Sequence, residues 1–133
     1  MRILIVDDDL LVLCSLRRQL RGADRELETA SCGAAAIEML QSSQFDVIVS
    51  DLSMPDMDGL ELLQHLRQKG LHVPFVLISG YESEDVSLPV DRGLSFLTKP
   101  ISRDALLLAI TRAIERHERE RSEITRPIFA GTS

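Results

Sequence analysis

The sequence predicts a doubly wound α/β domain, with parallel strands covered by helices on both faces. Three observations predict it. Five short apolar runs alternate with segments whose apolar residues recur at helical spacing. Most of the runs are continuously apolar, as strands buried on both faces are. Polar residues gather at the ends of the runs, where open parallel sheets bind their ligands.

Ile3-Leu4-Ile5-Val6 is the first run, and Asp7-Asp8-Asp9 follows it. Leu10–Leu20 is helical, with Leu10, Leu13, Cys14, Leu16 and Leu20 at helical intervals. Residues 27–30 form a weak second strand. A short helix follows over Ala34–Leu40, with Ser31 or Gly33 at its entrance. Val47-Ile48-Val49 is the centre of a third strand over 45–50, running into Asp51. Leu60, Leu62, Leu63 and Leu66 define the next helix, which Gly70 ends. The fourth strand is Val73–Ile78, with Pro74 near its start. Phe96-Leu97 belongs to the fifth, and the last helix covers Ala105–Ile114. The alternation demands a further helix over 82–91, but ESEDVSLPVD is polar and contains Pro89. An interior proline costs about 3 kcal/mol, so a short or distorted fourth helix, or a largely irregular connection, is expected. The last helix is expected to run a turn or two past His117, with disorder beyond Pro127.

The 133 residues suit one domain, and 44% apolar with 27% charged residues suits a folded core. With 21 acids against 15 bases, the net charge of -6 argues against direct nucleic-acid binding, which draws on basic surface. Cys14 and Cys32 lack metal-ligand spacing and read as reduced, partly buried small hydrophobes. No signal peptide or membrane-spanning run is apparent, so the cytoplasm is the expected compartment. The sequence has no P-loop, dinucleotide fingerprint or HExxH, and His65, His72 and His117 form no ligand pattern.

The chemistry concentrates in five places. Adjacent Asp7 and Asp8 repel one another, a cost a hard cation such as Mg²⁺ relieves; helix capping is the competing role, and Asp9 fits it best. Asp51 at a strand end is either a nucleophile for phosphorus or a member of that metal site. Lys99 offers a point charge to a phosphoryl group or balances excess acid. A cis Lys99-Pro100 bond would aim it inward, although base rates favour trans. Ser79, or less readily Thr98, offers a hydroxyl to a phosphoryl oxygen, but strand-end serines are also ordinary turn residues. Phe96 reads as core. Asp56 and Asp58 read as turn and cap residues, with Gly59 supplying an unusual backbone angle.

MRILIVDDD at 1–9, FDVIVSDLSMPDMDGLELL at 45–63, PFVLISG at 74–80 and GLSFLTKPI at 93–101 together resemble a bacterial two-component response-regulator receiver domain, of the CheY-like superfamily. The resemblance covers residues 1–120, leaving 121–133 as a polar tail or the start of a linker. It implies a flavodoxin-like sheet of order 2-1-3-4-5. It implies phosphorylation of Asp51, with Mg²⁺ (or Mn²⁺ in substitution) held directly by Asp8, positioned by Asp7, and completed by Asp51 and the backbone carbonyl of Ser53. Lys99 would contact the phosphate, Ser79 and Phe96 would be the switch pair, and the side chains of Ser53 and Tyr81 would tune hydrolysis. Such a domain catalyses its own phosphorylation and dephosphorylation and turns over no external substrate. The implied donor is a histidine kinase or a histidine phosphotransfer protein, and the output is a separate protein or a fused domain. Phosphorylation-dependent dimerisation is a further family possibility.

The sequence departs from the family pattern in three places. Phe96 stands where tyrosine is frequent, Gly80 where alanine is common, and Pro89 interrupts the usual interface helix. Two other functions remain as alternatives. One is an interaction module indifferent to phosphorylation. The other is a Mg²⁺-dependent phosphohydrolase with an aspartyl-phosphate intermediate, which needs a substrate pocket and an acid-base group the sequence does not display.

Overall fold

The chain begins with β1 (Arg2–Val6), α1 (Leu10–Leu20), β2 (Glu26–Ala30), α2 (Gly33–Ser42) and β3 (Val47–Asp51). It continues through α3 (Gly59–Gln68), β4 (Phe75–Ser79), β5 (Leu94–Thr98) and α4 (Arg103–Thr125). This computed structural model describes residues 1–80, 91 and 93–125, with side chains through 119. The strands form one parallel sheet of order β2-β1-β3-β4-β5, the order the resemblance implies. Tyr81, Pro89 and all of 82–91 except Asp91 lie outside the described residues, as does the tail from 126. So does the expected distorted fourth helix.

The period of two along each strand sorts the core into two layers. Ile3, Ile5, Val47, Val49, Val76 and Ile78 pack against Leu13, Leu16 and Leu20 of α1 and Leu106, Ile110 and Ala113 of α4. Leu4, Val6, Ile48, Phe75 and Leu77 point the other way, onto Ala36 and Leu40 of α2 and Leu62, Leu63 and Leu66 of α3. Each fully buried aliphatic side chain contributes about 1.5–3 kcal/mol, so the two layers supply most of what holds the sheet.

The second strand reads weakly because it is an edge. Leu27 packs inward, while Glu26 and Glu28 lie beside Arg2, whose guanidinium reaches Glu28 at 2.6 Å and Glu26 at 3.4 Å. The same guanidinium stacks over Phe45, 4.6 Å from the ring centroid.

Local chemistry sets the helix ends. Asp9 caps α1 by accepting the Leu11 amide at 2.9 Å. Asp58 and Glu61 form a capping box at α3. After α3 the chain turns through Gly70 at a φ of +78°, where a side chain would be strained. The helix α4 runs eight residues past His117, a little over two turns. The Lys99–Pro100 bond is cis, against the base rate.

Three expectations need correction. Cys14 and Cys32 are both exposed. The buried stripe of α1 is Leu13, Leu16 and Leu20, so Cys14 falls on the outer face, and Leu10 is likewise 70% exposed. Cys32 is itself the cap of α2, its sulfur accepting the Ala35 amide at 3.5 Å, so α2 starts at Gly33 with neither Ser31 nor Gly33 as cap.

The chain enters β5 under restraint. Arg67 of α3 holds Asp91 through a two-pronged ion pair, Nε–Oδ2 at 2.7 Å and Nη2–Oδ1 at 3.2 Å. Burial alone would raise the Asp91 carboxyl. The Arg67 guanidinium and the Gly93 amide outweigh it and hold the group below the usual carboxylate range.

Candidate functional site

Parallel register brings the strand-end residues together. Val6 pairs with Ser50, Asp51 with Ile78, and Ser79 with Thr98. The residue following β1 is therefore level with the end of β3, and Lys99 continues directly from the β4–β5 pair. The Lys99 amide donates to the Ser79 carbonyl at 2.8 Å, fixing where the lysine leaves the sheet. Its Nζ lies 3.2 Å from Asp51 Oδ1. Asp51 is 6% exposed and Asp7 3%, while Asp8 stands exposed at the rim.

Burial dominates the electrostatics. It pushes the Asp7 carboxyl up to about 6. The charges of Asp51 and Asp8 push the same way, against the Asp9 amide and Lys99. That amide donates to Asp7 Oδ1 at 2.9 Å, so Asp7 also holds the turn into α1. Burial likewise raises Asp51 above its ordinary value, although Lys99 and the Ser53 amide oppose the shift, and the charge of Asp8 adds to it. Three carboxylates thus share one edge with a single lysine, an excess of negative charge that suits a hard divalent cation.

Among the described residues, no three His, Cys, Asp or Glu side chains close into a ready metal cage. Mg²⁺ does not require one, because it keeps several waters and takes one or two protein carboxylates with phosphate oxygen. Asp7, Asp8 and Asp51 fit that smaller demand.

The loop after β3 is tightly closed. The Gly59 amide donates to the Leu52 carbonyl at 2.9 Å, and the Met57 amide to the Pro55 carbonyl at 2.7 Å. The left-handed residue is Asp56, at a φ of 68°, and not Gly59 as expected. Gly59 is required for a different reason. A Cβ there would lie 2.5 Å from the Asp51 carbonyl oxygen and 2.6 Å from Leu77 Cδ1. We expect Gly59→Ala to lower stability by about 1–2 kcal/mol, read as a lower urea midpoint at unchanged slope. An unchanged midpoint would show that the loop yields freely.

Ser53 is exposed on this loop. Ser79 is 4% exposed, and its hydroxyl lies 3.4 Å from the Gly80 carbonyl. Phe96, paired with Leu77, is half-buried on the sheet face that packs against α2 and α3, away from the carboxylates. Asp7, Asp51 and Lys99 are thus drawn into one cluster with Asp8 at its rim, and Ser79 is held by the same strand ends. One further residue was overlooked in the sequence. Ser50 is fully buried, with its hydroxyl 3.0 Å from the Asp51 carbonyl. The signal for it is a serine that closes the apolar run Val47-Ile48-Val49 just before Asp51.

An open parallel sheet with paired acids, a third acid and a lysine at its carboxyl edge defines a class of doubly wound α/β domain whose ligand site lies at that edge. Comparison with known proteins narrows the class. The response regulator receiver domain family matches residues 3–111, and the chain belongs to that family. It is similar to the transcriptional regulatory protein GlrR of Escherichia coli (strain K12), at 34% identity over 85% of this chain and 26% of GlrR. It is also similar to the response regulator MprA of Mycobacterium avium (strain 104), at 35% identity over 90% of this chain and 54% of MprA. The chain therefore spans about a quarter to a half of the length of these relatives. Among solved structures, FixJ-N superposes with a TM-score of 0.75 at 31% identity, covering 86% of this chain and 93% of FixJ-N. The chain is thus a receiver domain of the kind used in two-component signalling, where receivers take phosphate from histidine kinases and typically use Mg²⁺.

Proposed function

We propose that Asp51 is the phosphoacceptor of a switch in which Lys99 and a Mg²⁺ site at Asp7 and Asp8 assist transfer. The carrying observation is the Lys99 ammonium 3.2 Å from the buried Asp51 carboxylate. An Asp51 carboxylate oxygen attacks phosphorus. The bond from phosphorus to the donor's imidazole nitrogen, or to the acyl oxygen of a small donor, breaks as the acyl phosphate forms. The leaving group keeps the bonding electrons and takes a proton from solvent where it needs one. Lys99 already offsets the charge of Asp51, and its flexible stem lets the ammonium follow charge onto the phosphoryl oxygens. Asp8 would hold Mg²⁺ directly and Asp7 would hold the ion or one of its waters. Asp51 and the Ser53 carbonyl would complete the set. When bound, the ion supplies positive charge between carboxylate and phosphoryl oxygens that would otherwise repel.

The Ser79 hydroxyl is the group nearest in sequence and register to follow the phosphate, and Phe96 the ring on the neighbouring strand to respond. The Ser53 side chain, and Tyr81 beyond the described residues, set how readily water reaches the phosphate. The donor is a histidine kinase or histidine phosphotransfer protein in the cytoplasm, and the output is a protein or a fused domain. Among the described residues no helix is long and apolar enough to cross a membrane.

Incubation with Mg²⁺ and acetyl phosphate tests the proposal. Intact mass should rise by about 80 Da, the increment of one phosphoryl group. A folded protein that gains no mass from acetyl phosphate or from phosphoramidate would refute it.

A further inference from the structure

Ser50 is a buried polar residue that the switch reading leaves without a role. It is fully buried in the central strand β3, where an apolar side chain would avoid the cost of taking a hydroxyl out of water. Its neighbours in the run are Val47, Ile48 and Val49. Its hydroxyl donates to the main-chain carbonyl oxygen of the very next residue, Asp51, at 3.0 Å.

That carbonyl and the Leu52 amide belong to one peptide group. The amide end is tied to β4, donating to the Ile78 carbonyl at 2.7 Å. The β1–β3 pairing stops at Val6–Ser50, one residue short of Asp51. Gly59 lies against the same carbonyl oxygen and offers it only bare backbone. The bond to β4 at one end and the Ser50 hydroxyl at the other both restrain rotation of the peptide plane. Holding that plane restrains ψ of Asp51, and with it the orientation of the Cα that carries the carboxylate and the path of the loop toward Ser53.

We infer that Ser50 is a positioning residue for phosphoryl transfer, its hydroxyl locking the peptide after Asp51 so that the carboxylate meets phosphorus in line. This inference rests on the assignment of Asp51 as phosphoacceptor. Transfer depends on alignment more than on covalent help from the protein, so loosening one peptide slows the step without weakening donor binding.

The test measures phosphorylation of the full chain against acetyl phosphate concentration at saturating Mg²⁺. Ser50→Ala should lower the maximal rate about 3- to 10-fold, the effect of one hydrogen bond, with the half-saturating donor concentration unchanged. Ser50→Thr keeps the hydroxyl and should recover most of the loss. Ile3→Val, a core change away from the site, controls for stability alone and should keep the wild-type rate. A Ser50→Ala rate equal to wild type overturns the inference, and so does a Ser50→Thr variant as slow as Ser50→Ala. If Ser50→Ala does not fold, Ser50→Cys replaces it; its weak donor should give a slowed rate, and a wild-type rate overturns the inference. Wild-type protein that takes no phosphate overturns the phosphoacceptor assignment itself, a result distinct from any difference among the Ser50 variants.

Discussion

Asp51→Asn takes up no phosphoryl group from acetyl phosphate, and it stays folded. Asparagine keeps the shape of the side chain and one acceptor oxygen but has no carboxylate to attack phosphorus. Asparagine is isosteric with aspartate and Asp51 is the last residue of β3, so the substitution leaves the sheet intact. It also removes a charge whose burial is unfavourable, because Asp51 is held above its ordinary value by desolvation. Without metal the variant should therefore unfold at the same temperature as the wild type or higher. Intact mass and a melting curve on the same sample check both halves. An adduct of wild-type yield on Asp51→Asn would mean that another residue is the acceptor.

Asp7→Asn should stabilise the metal-free protein at pH 7.5 by about 2 kcal/mol. The Asp7 carboxyl is raised from 3.8 to about 6, so between those values the folded state holds a proton that the unfolded chain has released. A raised carboxyl makes the protein most stable below the unfolded value, and that advantage is lost as pH climbs through the folded one. Above pH 6 the wild type carries the full cost of a buried charge, bounded near 3 kcal/mol by the size of the shift. Asparagine avoids it and still offers an oxygen to the Asp9 amide. Urea unfolding at pH 4 and pH 7.5 should show a small difference between variant and wild type at the lower pH and a large one at the higher. A variant less stable than wild type at pH 7.5 would contradict the account of burial. The same variant should accept phosphate slowly, since the charge it removes is one the cation uses. Site and stability thus pull in opposite directions at Asp7.

Continuous apolar strands were legible because β1, β3 and β4 are buried on both faces, so almost every residue reports the same environment. The site was legible for a related reason. Charges at the ends of such strands have no structural cause within the strand, so Asp7, Asp51 and Lys99 stand out. What escaped was set by contacts between segments. Gly59 looked like a backbone hinge, but its small size serves the approach of α3 to the Asp51 carbonyl. The left-handed angle fell to Asp56 instead. Cys14 shared the spacing of an apolar face, but spacing does not say where a buried stripe stops, and the stripe is only Leu13, Leu16 and Leu20 wide. Ser50 escaped because a hydroxyl's partner is fixed by geometry that sequence spacing does not encode.

The edge strand β2 has a consequence for crowding. Exposed main-chain groups along a sheet edge are a template for another chain, and charged side chains are the common means of refusing it. Glu26 and Glu28 flank that edge with their charge only partly met by Arg2. A strand from a neighbouring molecule would have to settle beside these carboxylates and lose their hydration. Sheet-to-sheet growth is thereby discouraged on the β2 side.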